Sequence, residues 1–360
     1  MVSTRWIGPR SYESYKKSAR SAFARGDYKT EFDIWRNLSN QGETEAQYEL
    51  ALMYQKGRWV LPNENEAVKL LILSGESGYT AAQIKLGDLY LSGTDVPQSI
   101  EESLHWFYRA ADQDDVDAML SLAMIFHVGQ WVDINLEKAE YWYTRAADAN
   151  CVEAHYHLGV MHQDAGEYTQ AAAAYQSAAE HGDVLAQYAL GERYLQGQGV
   201  AQDINLAVEY LEQAAKAESR LANFKLGELY YVGDLVAKNV SRAAACFKAS
   251  AEQGHDEAQY QLGCLYRAGH GVDKNLQKTV YWFMKAANQS HSMALNNLGI
   301  LYANGDGVAK NNDIAEKSFQ KAADLGSDEA QKNLLQLKRK RWWSKHVMAK
   351  IGAWLSFKRG

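Results

Sequence analysis

Apolar and small residues recur along this chain with a period of 36 residues. With an alanine as position 1 of each repeat, position 5 is leucine in all nine repeats, position 6 is Gly or Ala in eight and position 9 is aromatic in seven. Positions 1, 5 and 9 share one face of a helix, so the pattern predicts an amphipathic first helix, helix A. The alanines are Ala46, Ala82, Ala118, Ala154, Ala186, Ala222, Ala258, Ala294 and Ala330, with one shorter step of 32 residues after Ala154.

The second half of each repeat predicts another helix, helix B. Position 12 is glycine in seven repeats, as at Gly57, and glycine tolerates the left-handed conformation that ends a helix. Position 18 is Asn, Ser or Asp in the same seven repeats, and these residues cap helix N-termini. Positions 22 and 26 then pair a small residue with a large one, as in Ala207 and Leu211. No part of the repeat is typical of a strand, so we predict an all-α fold.

The ends of the array depart from the 36-residue repeat. The 32-residue unit lacks the long loop, and a similar short form begins at Ser14. We therefore predict a leader over residues 1–13 and nine helical hairpins over 14–329, of which the first is degenerate. A capping helix over 330–341 and a basic, aromatic tail over 342–360 follow, since stacked repeats need atypical ends.

The segment from Ala258 to Val272, AQYQLGCLYRAGHGV, resembles the Sel-one-like repeat family, a relative of tetratricopeptide repeats. The segment from Ala186 to Val200 resembles it equally. This resemblance implies an α/α solenoid of antiparallel helix pairs in a right-handed superhelix. It also implies a role as an adaptor or scaffold, without indicating the partner.

Charge and composition narrow the possible partners. The formal net charge is −6, but residues 338–360 carry eight basic residues and no acidic one, so the other 337 residues carry −14. An acidic body repels phosphate backbones, and we expect no specific nucleic acid. The three cysteines have no repeat spacing, which favours a reducing compartment. With neither a secretory signal nor a long apolar run in the sequence, we expect a cytoplasmic protein, with peripheral attachment to the membrane as the alternative.

The motifs of catalysis and metal binding are missing from the sequence. Gly197–Gly199 and Gly305–Gly307 recur with the repeat and follow no strand, so they indicate helix ends instead of phosphate loops. His155, His157 and His162 are spaced by 2, 5 and 7 residues, which does not match the spacing of helical metal ligands. We expect no catalytic residue, no metal and no cofactor.

Positions 4, 7, 10 and 11 of helix A vary between repeats, whereas the structural positions hold nearly one residue type. By analogy with tetratricopeptide arrays, helix A lines the concave face, where a groove could bind a protein or peptide. The predicted partner-binding residues are Leu52, Lys85, Asp88, Leu91, Met124, His157, Val160, Glu192, Leu195, Lys225, Glu228, Tyr231, Gln261, Arg267, Asn297 and Ile300.

The tail supports an alternative function. Trp343, Val347, Ile351 and Trp354 fall on one helical stripe, Lys345 lies off it and Lys350 interrupts it. Such a basic amphipathic helix could bind an anionic membrane surface, or it could fold back and cap the last repeat. Nucleic-acid binding through the tail is a weaker hypothesis, because an isolated basic stretch is unspecific.

Overall fold

The structure is a computed structural model that describes the backbone of residues 9–357 and the side chains of residues 11–343 and of Val347. Within these residues the chain forms nineteen α-helices and no strand, which confirms the all-α prediction. The helices are α1 Pro9–Ala24, α2 Tyr28–Ser39, α3 Thr44–Lys56, α4 Glu64–Glu76, α5 Thr80–Ser92, α6 Ile100–Ala111, α7 Val116–Val128, α8 Leu136–Asp148, α9 Val152–Asp164, α10 Tyr168–Glu180, α11 Val184–Gln196, α12 Ile204–Lys216, α13 Arg220–Val232, α14 Val240–Glu252, α15 Asp256–Ala268, α16 Leu276–Asn288, α17 Ser292–Asn304, α18 Asn312–Asp324 and α19 Asp328–Phe357.

The chain divides into two compact units, an N-terminal unit over residues 1–177 and a C-terminal unit over residues 178–360. Within each unit an odd-numbered helix A packs against the helix B that follows it, as α13 packs against α14. Helix B then packs against the next helix A, as α14 does against α15. Each unit is therefore a stack of helix pairs. Helix α1 begins at Pro9, within the predicted leader, because proline is well suited to a first helical position.

The predicted helix boundaries are confirmed by their capping chemistry. All seven residues at position 18 accept a hydrogen bond from a backbone N–H in the first turn of helix B, as Asn239 Oδ1 does from Arg242 N at 2.9 Å. The glycines at position 12 adopt the left-handed conformation, with φ of 78° at Gly233. In these seven repeats, local chemistry therefore sets where helix B begins and where helix A ends.

Glycine at position 6 lets helix B approach helix A closely. A Cβ built on Gly227 would lie 2.7 Å from two ring carbons of Phe247, the position 26 residue of the same repeat. Real carbon contacts optimise at about 3.5–4.0 Å, so this packing requires glycine. The same contact recurs in five further repeats, in the pairs Gly87 and Phe107, Gly159 and Tyr175, Gly191 and Leu211, Gly263 and Phe283, and Gly299 and Phe319.

A buried amide at position 2 was not predicted and links successive repeats. Gln83 is 1% exposed and donates a hydrogen bond to the Gly75 carbonyl at 2.8 Å, and Gln259 donates to the Ala251 carbonyl at 3.0 Å. Each accepting carbonyl lies in the last turn of the preceding helix B, where carbonyl groups have no N–H donor within the helix. The amide therefore satisfies a carbonyl that would otherwise be buried without a partner.

The last helix does not end at the boundary that the repeat predicts. Helix α19 runs continuously from Asp328 to Phe357 and passes through position 12, where Arg341 replaces the glycine that ends other A helices. Arg341 forms ion pairs with Asp313 at 2.8 Å and with Glu316 at 2.6 Å, both on α18. Position 6 is Leu335, which is 58% exposed, so its side chain occupies the place where a helix B would otherwise approach.

Candidate partner-binding surface

The sixteen predicted residues lie on helix A, and fifteen of them reach the surface. Asp88, Met124, Tyr231 and Arg267 are exposed. Eleven are half-buried, namely Leu52, Lys85, Leu91, His157, Val160, Glu192, Lys225, Glu228, Gln261, Asn297 and Ile300. Each of these fifteen side chains packs partly against the protein and is partly exposed to solvent.

Leu195 is the exception, and its assignment to an exposed surface is wrong. Its side chain is 9% exposed and belongs to the hydrophobic core that contains Leu211 and Leu226. Position 10 lies at the edge of the apolar stripe of helix A, so a leucine there turns inward to bury its methyl groups. Tyr231 and Arg267 occupy the same position but keep their polar ends in solvent.

In the N-terminal unit, an aromatic cluster supports one part of this surface. The imidazole of His157 stacks on the Tyr143 ring at 5.5 Å and lies 3.6 Å from the Glu153 carboxylate. On the other side, Nδ1 of His127 lies 3.3 Å from the Tyr143 hydroxyl. Burial raises the pKa of Tyr143 and lowers that of His127, so both groups stay neutral near pH 7. The sequence analysis missed Tyr143 because position 26 was assigned to the core, and it left out His127 although position 10 belongs to the outward set.

A second part of the N-terminal unit is acidic. Burial raises the pKa of Asp88, with Asp117 adding to the effect and Lys85 opposing it. Burial and the neighbouring Glu45 likewise raise the pKa of Glu49. These carboxylates are partly desolvated, which increases the strength with which they attract cationic groups. The sequence analysis missed Glu49, although it occupies position 4.

In the C-terminal unit, an ion-pair network joins neighbouring A helices. Lys225 Nζ on α13 lies 3.3 Å from a Glu192 carboxylate oxygen on α11 and 3.2 Å from a Glu228 carboxylate oxygen on α13. Burial lowers the pKa of Lys225, but the two carboxylates outweigh it, so the pKa lies above its ordinary value. Tyr231, which is 37% exposed, packs edge-on to Phe247 with ring centroids 6.4 Å apart. The network thus places a fixed charge pattern beside an exposed aromatic ring.

Further along the same unit, Tyr260 stacks on Phe283 at 5.6 Å and on His291 at 4.8 Å. Burial raises its pKa to about 12. His291 also lies 2.9 Å from the Glu257 carboxylate, which accepts a hydrogen bond from Gln261 at 2.8 Å. Gln261 is therefore a positioned side chain of the predicted set. The Glu257 partner lies one turn away on α15, but sequence spacing could not reveal His291, which precedes the next helix A.

The described part of the chain contains no group of three His, Cys, Asp or Glu side chains placed to hold a metal ion. All three cysteines are free thiols, and burial raises the pKa of Cys246 and Cys264, so these two stay protonated near pH 7. Within the same described residues, no helix has the length and apolarity needed to cross a membrane.

The tail residues divide between the described and undescribed parts of the chain. Trp343 is 60% exposed and Val347 is 46% exposed, so neither of these two side chains packs into the last repeat. The side chains of Lys345, Lys350, Ile351 and Trp354 lie outside the described residues.

Stacked helix pairs with a varied outer face on helix A define an α/α repeat protein. The chain belongs to the Sel1 repeat family, whose model matches seven segments that together cover more than half of it. The matched residues are 44–79, 80–115, 116–151, 184–219, 220–255, 256–291 and 292–327. The unmatched interval 152–183 is the 32-residue unit. A search of curated proteins found no significant match.

Solved structures of two Sel1-type proteins are similar to this chain. A protective antigen of uropathogenic Escherichia coli with an SLR fold is 29% identical with a TM-score of 0.71, over 84% of this chain and 66% of that one. This chain therefore spans about two thirds of the length of the antigen. A Sel1 repeat protein of Oxalobacter formigenes is 27% identical with a TM-score of 0.71, over 85% of this chain and 89% of that one.

Proposed function

We propose that this protein is a non-catalytic scaffold or adaptor that binds a partner protein or peptide on the outward surface of its A helices, the face that we expect to be concave by analogy with tetratricopeptide arrays. The observation that carries the proposal is a contrast between positions. Structural positions repeat almost unchanged, whereas the outward positions 4, 7 and 10 differ from repeat to repeat in charge, size and polarity. Surfaces that differ in this way can select one partner.

The exposed residues on this surface include suitable anchors. Met124 is 39% exposed in the N-terminal unit and Tyr231 is 37% exposed in the C-terminal unit. Near Tyr231, the Lys238 ammonium lies 5.8 Å from the ring centroid, and Glu228 of the Lys225 network lies one turn earlier on α13. A few large side chains dominate the energy of most protein interfaces, and charged groups around them mainly set specificity.

Affinity purification with mass spectrometry would identify the partner, and titration would then measure its affinity. The double variant Met124→Ala with Tyr231→Ala should weaken binding by at least about 2 kcal/mol through loss of anchors. Both residues are exposed, so the fold should be retained. The matched control changes Glu140 and Gln213 to alanine on B helices. Loss of binding in the control with none in the anchor variant would refute the proposal.

A second candidate function is peripheral attachment to a membrane on the cytoplasmic side. It is favoured by the exposure of Trp342, Trp343 and Val347, at 54%, 60% and 46%, in a segment with eight basic residues and no acidic one. Tryptophan is enriched at membrane–water interfaces, and basic residues are attracted to anionic lipids. The full chain should float with vesicles that contain phosphatidylglycerol, whereas a chain truncated after Arg341 should not. Equal flotation of both would exclude this role.

A further inference from the structure

The C-terminal unit contains an open cleft of about 920 Å³ between the end of α17 and helix α19. Its lining includes Asn304, Lys310 and Asn312 on one side and Gln336, Arg339 and Trp343 on α19. A smaller cavity of about 150 Å³ continues it towards an apolar floor that includes Ile300 and Leu337. Ile300 belongs to the predicted partner-binding set, so the cleft continues that surface.

The cleft exists because the last repeat lacks its loop. In two complete repeats, the loop that follows helix A (after α15 and after α17) packs on the first residue of the preceding helix B. A Cβ on Gly271 would lie 2.3 Å from the Val240 carbonyl oxygen, and one on Gly307 would lie 2.6 Å from that of Leu276. The corresponding residue for α19 is Asn312. Because α19 continues as a helix, no such loop follows it, and Asn312 is left lining the cleft.

The polar side chains in the cleft can bind a peptide backbone. Side-chain amides offer both donors and acceptors, which match the N–H and C=O groups of an extended segment. Gln336 is exposed, Asn312 is half-buried, and both line the cleft. An extended segment in the cleft would occupy the space that a loop fills in the repeats of α15 and α17, whereas a membrane surface requires a flat or convex apolar face.

The charge of the cleft indicates which segment would fit. Lys310 and Arg339 are exposed, and neither forms an ion pair with any described residue. Arg341 differs, because Asp313 and Glu316 already neutralise it. These two cations, which have no ion-pair partner among the described side chains, lie beside an apolar floor and complement a segment that alternates carboxylates with apolar side chains.

We infer that the cleft between α17 and α19 binds an extended, acidic segment of the partner protein. This inference rests on the proposed scaffold function and specifies the chemistry of one part of the partner. Carboxylates would pair with Lys310 and Arg339, the backbone would bond to Asn312 and Gln336, and apolar side chains would reach towards Leu337.

The test uses the full chain and a fluorescein-labelled peptide of alternating glutamate and leucine, with a lysine and leucine peptide for comparison. The wild-type protein should bind the acidic peptide, and Lys310→Glu with Arg339→Glu should weaken that binding by at least about tenfold at low salt. The same variant should gain affinity for the basic peptide. The matched control, Lys317→Glu with Lys321→Glu on α18, makes the same change of charge outside the cleft and should alter affinity by less than about threefold.

Equal weakening in the control would show a long-range charge effect and overturn the inference. Binding to phosphatidylglycerol vesicles with no binding of the acidic peptide would also overturn it, because the basic end would then recognise lipid phosphate. If binding of a captured partner requires Met124 and Tyr231 but the acidic peptide does not bind, this inference is refuted and the proposed function is not. If the acidic peptide binds but partner binding does not require Met124 and Tyr231, the proposed function is refuted instead.

Discussion

The contact between Gly227 and Phe247 allows a double-mutant test of how helix A and helix B pack. In Gly227→Ala, the new Cβ would lie 2.7 Å from the Phe247 ring, well inside an ordinary contact. Overpacking of this kind costs about 1–3 kcal/mol, and the better helix propensity of alanine returns about 0.5–1 kcal/mol. The variant should therefore lose about 1–2 kcal/mol of stability.

Phe247→Leu should also destabilise the protein, by about 1 kcal/mol, because Phe247 is 2% exposed and a smaller side chain buries less apolar surface. The double variant recreates a pair that the chain already contains, Ala51 with Leu71, both buried at 1% exposure or less. In that repeat the leucine side chain accommodates the alanine methyl group. We therefore expect a favourable coupling of about 1–2 kcal/mol between the two substitutions.

Urea unfolding followed by circular dichroism would give the four free energies of the cycle, and hydrogen exchange would locate the change to α13 and α14. The surface variant Gln213→Ala serves as a control and should change stability by less than about 0.5 kcal/mol. Strictly additive losses in the double variant would show that Gly227 is not required by the aromatic ring. The close packing of α13 against α14 would then have a cause other than the contact between Gly227 and Phe247.

Two further predictions concern single residues. Glu218 has a φ of 61° at a position that Gly78, Gly254 and Gly326 fill in other repeats, so Glu218→Gly should stabilise the protein by about 0.5–1 kcal/mol; the control Glu218→Ala keeps the strained backbone, and a gain in urea midpoint there would contradict the reasoning. His255 Nδ1 caps α15 by accepting a hydrogen bond from Ala258 N at 3.2 Å, and burial lowers its pKa. Its contribution should be complete above about pH 6.5 and be lost as the pH falls below that value, so unfolding at pH 8 and pH 5.5 should differ less in His255→Asn than in wild type; an equal difference would exclude the cap as the cause.

The sequence predicted those parts of the fold that depend on local chemistry. An Asn such as Asn239 caps a helix through a backbone N–H three residues away, and Gly233 ends one through its own φ. Neither effect depends on the rest of the molecule, and both recur in seven repeats. The glycine at position 6 was predicted for a related reason, since only a close helix contact explains a small residue beside a buried leucine.

Features that depend on distant partners were missed. Gln83 is as regular as the caps, but its function depends on the Gly75 carbonyl of the preceding repeat, which is known only once the helices are packed. His291 likewise combines a cap on α17 with contacts to Glu257 and Tyr260 on α15, the preceding helix A. The error at Leu195 has the same origin, because a helical wheel places position 10 on a boundary and only packing decides which way it turns.

The repeats allow the fold to be predicted from the sequence but do not identify the partner, and both facts have the same physical cause. Positions that contact neighbouring repeats meet the same surroundings each time, so they hold the same residues, whereas positions that would contact a partner meet different parts of it and must vary. At the C-terminal end, a position that contacts a neighbouring repeat elsewhere becomes available to a partner. Loss of the position 12 glycine at Arg341 lets α19 continue and removes the loop that covers the equivalent of Asn312 elsewhere. A break in the repeat pattern thus turns an internal packing site into an accessible cleft, which is where we expect the partner to be recognised.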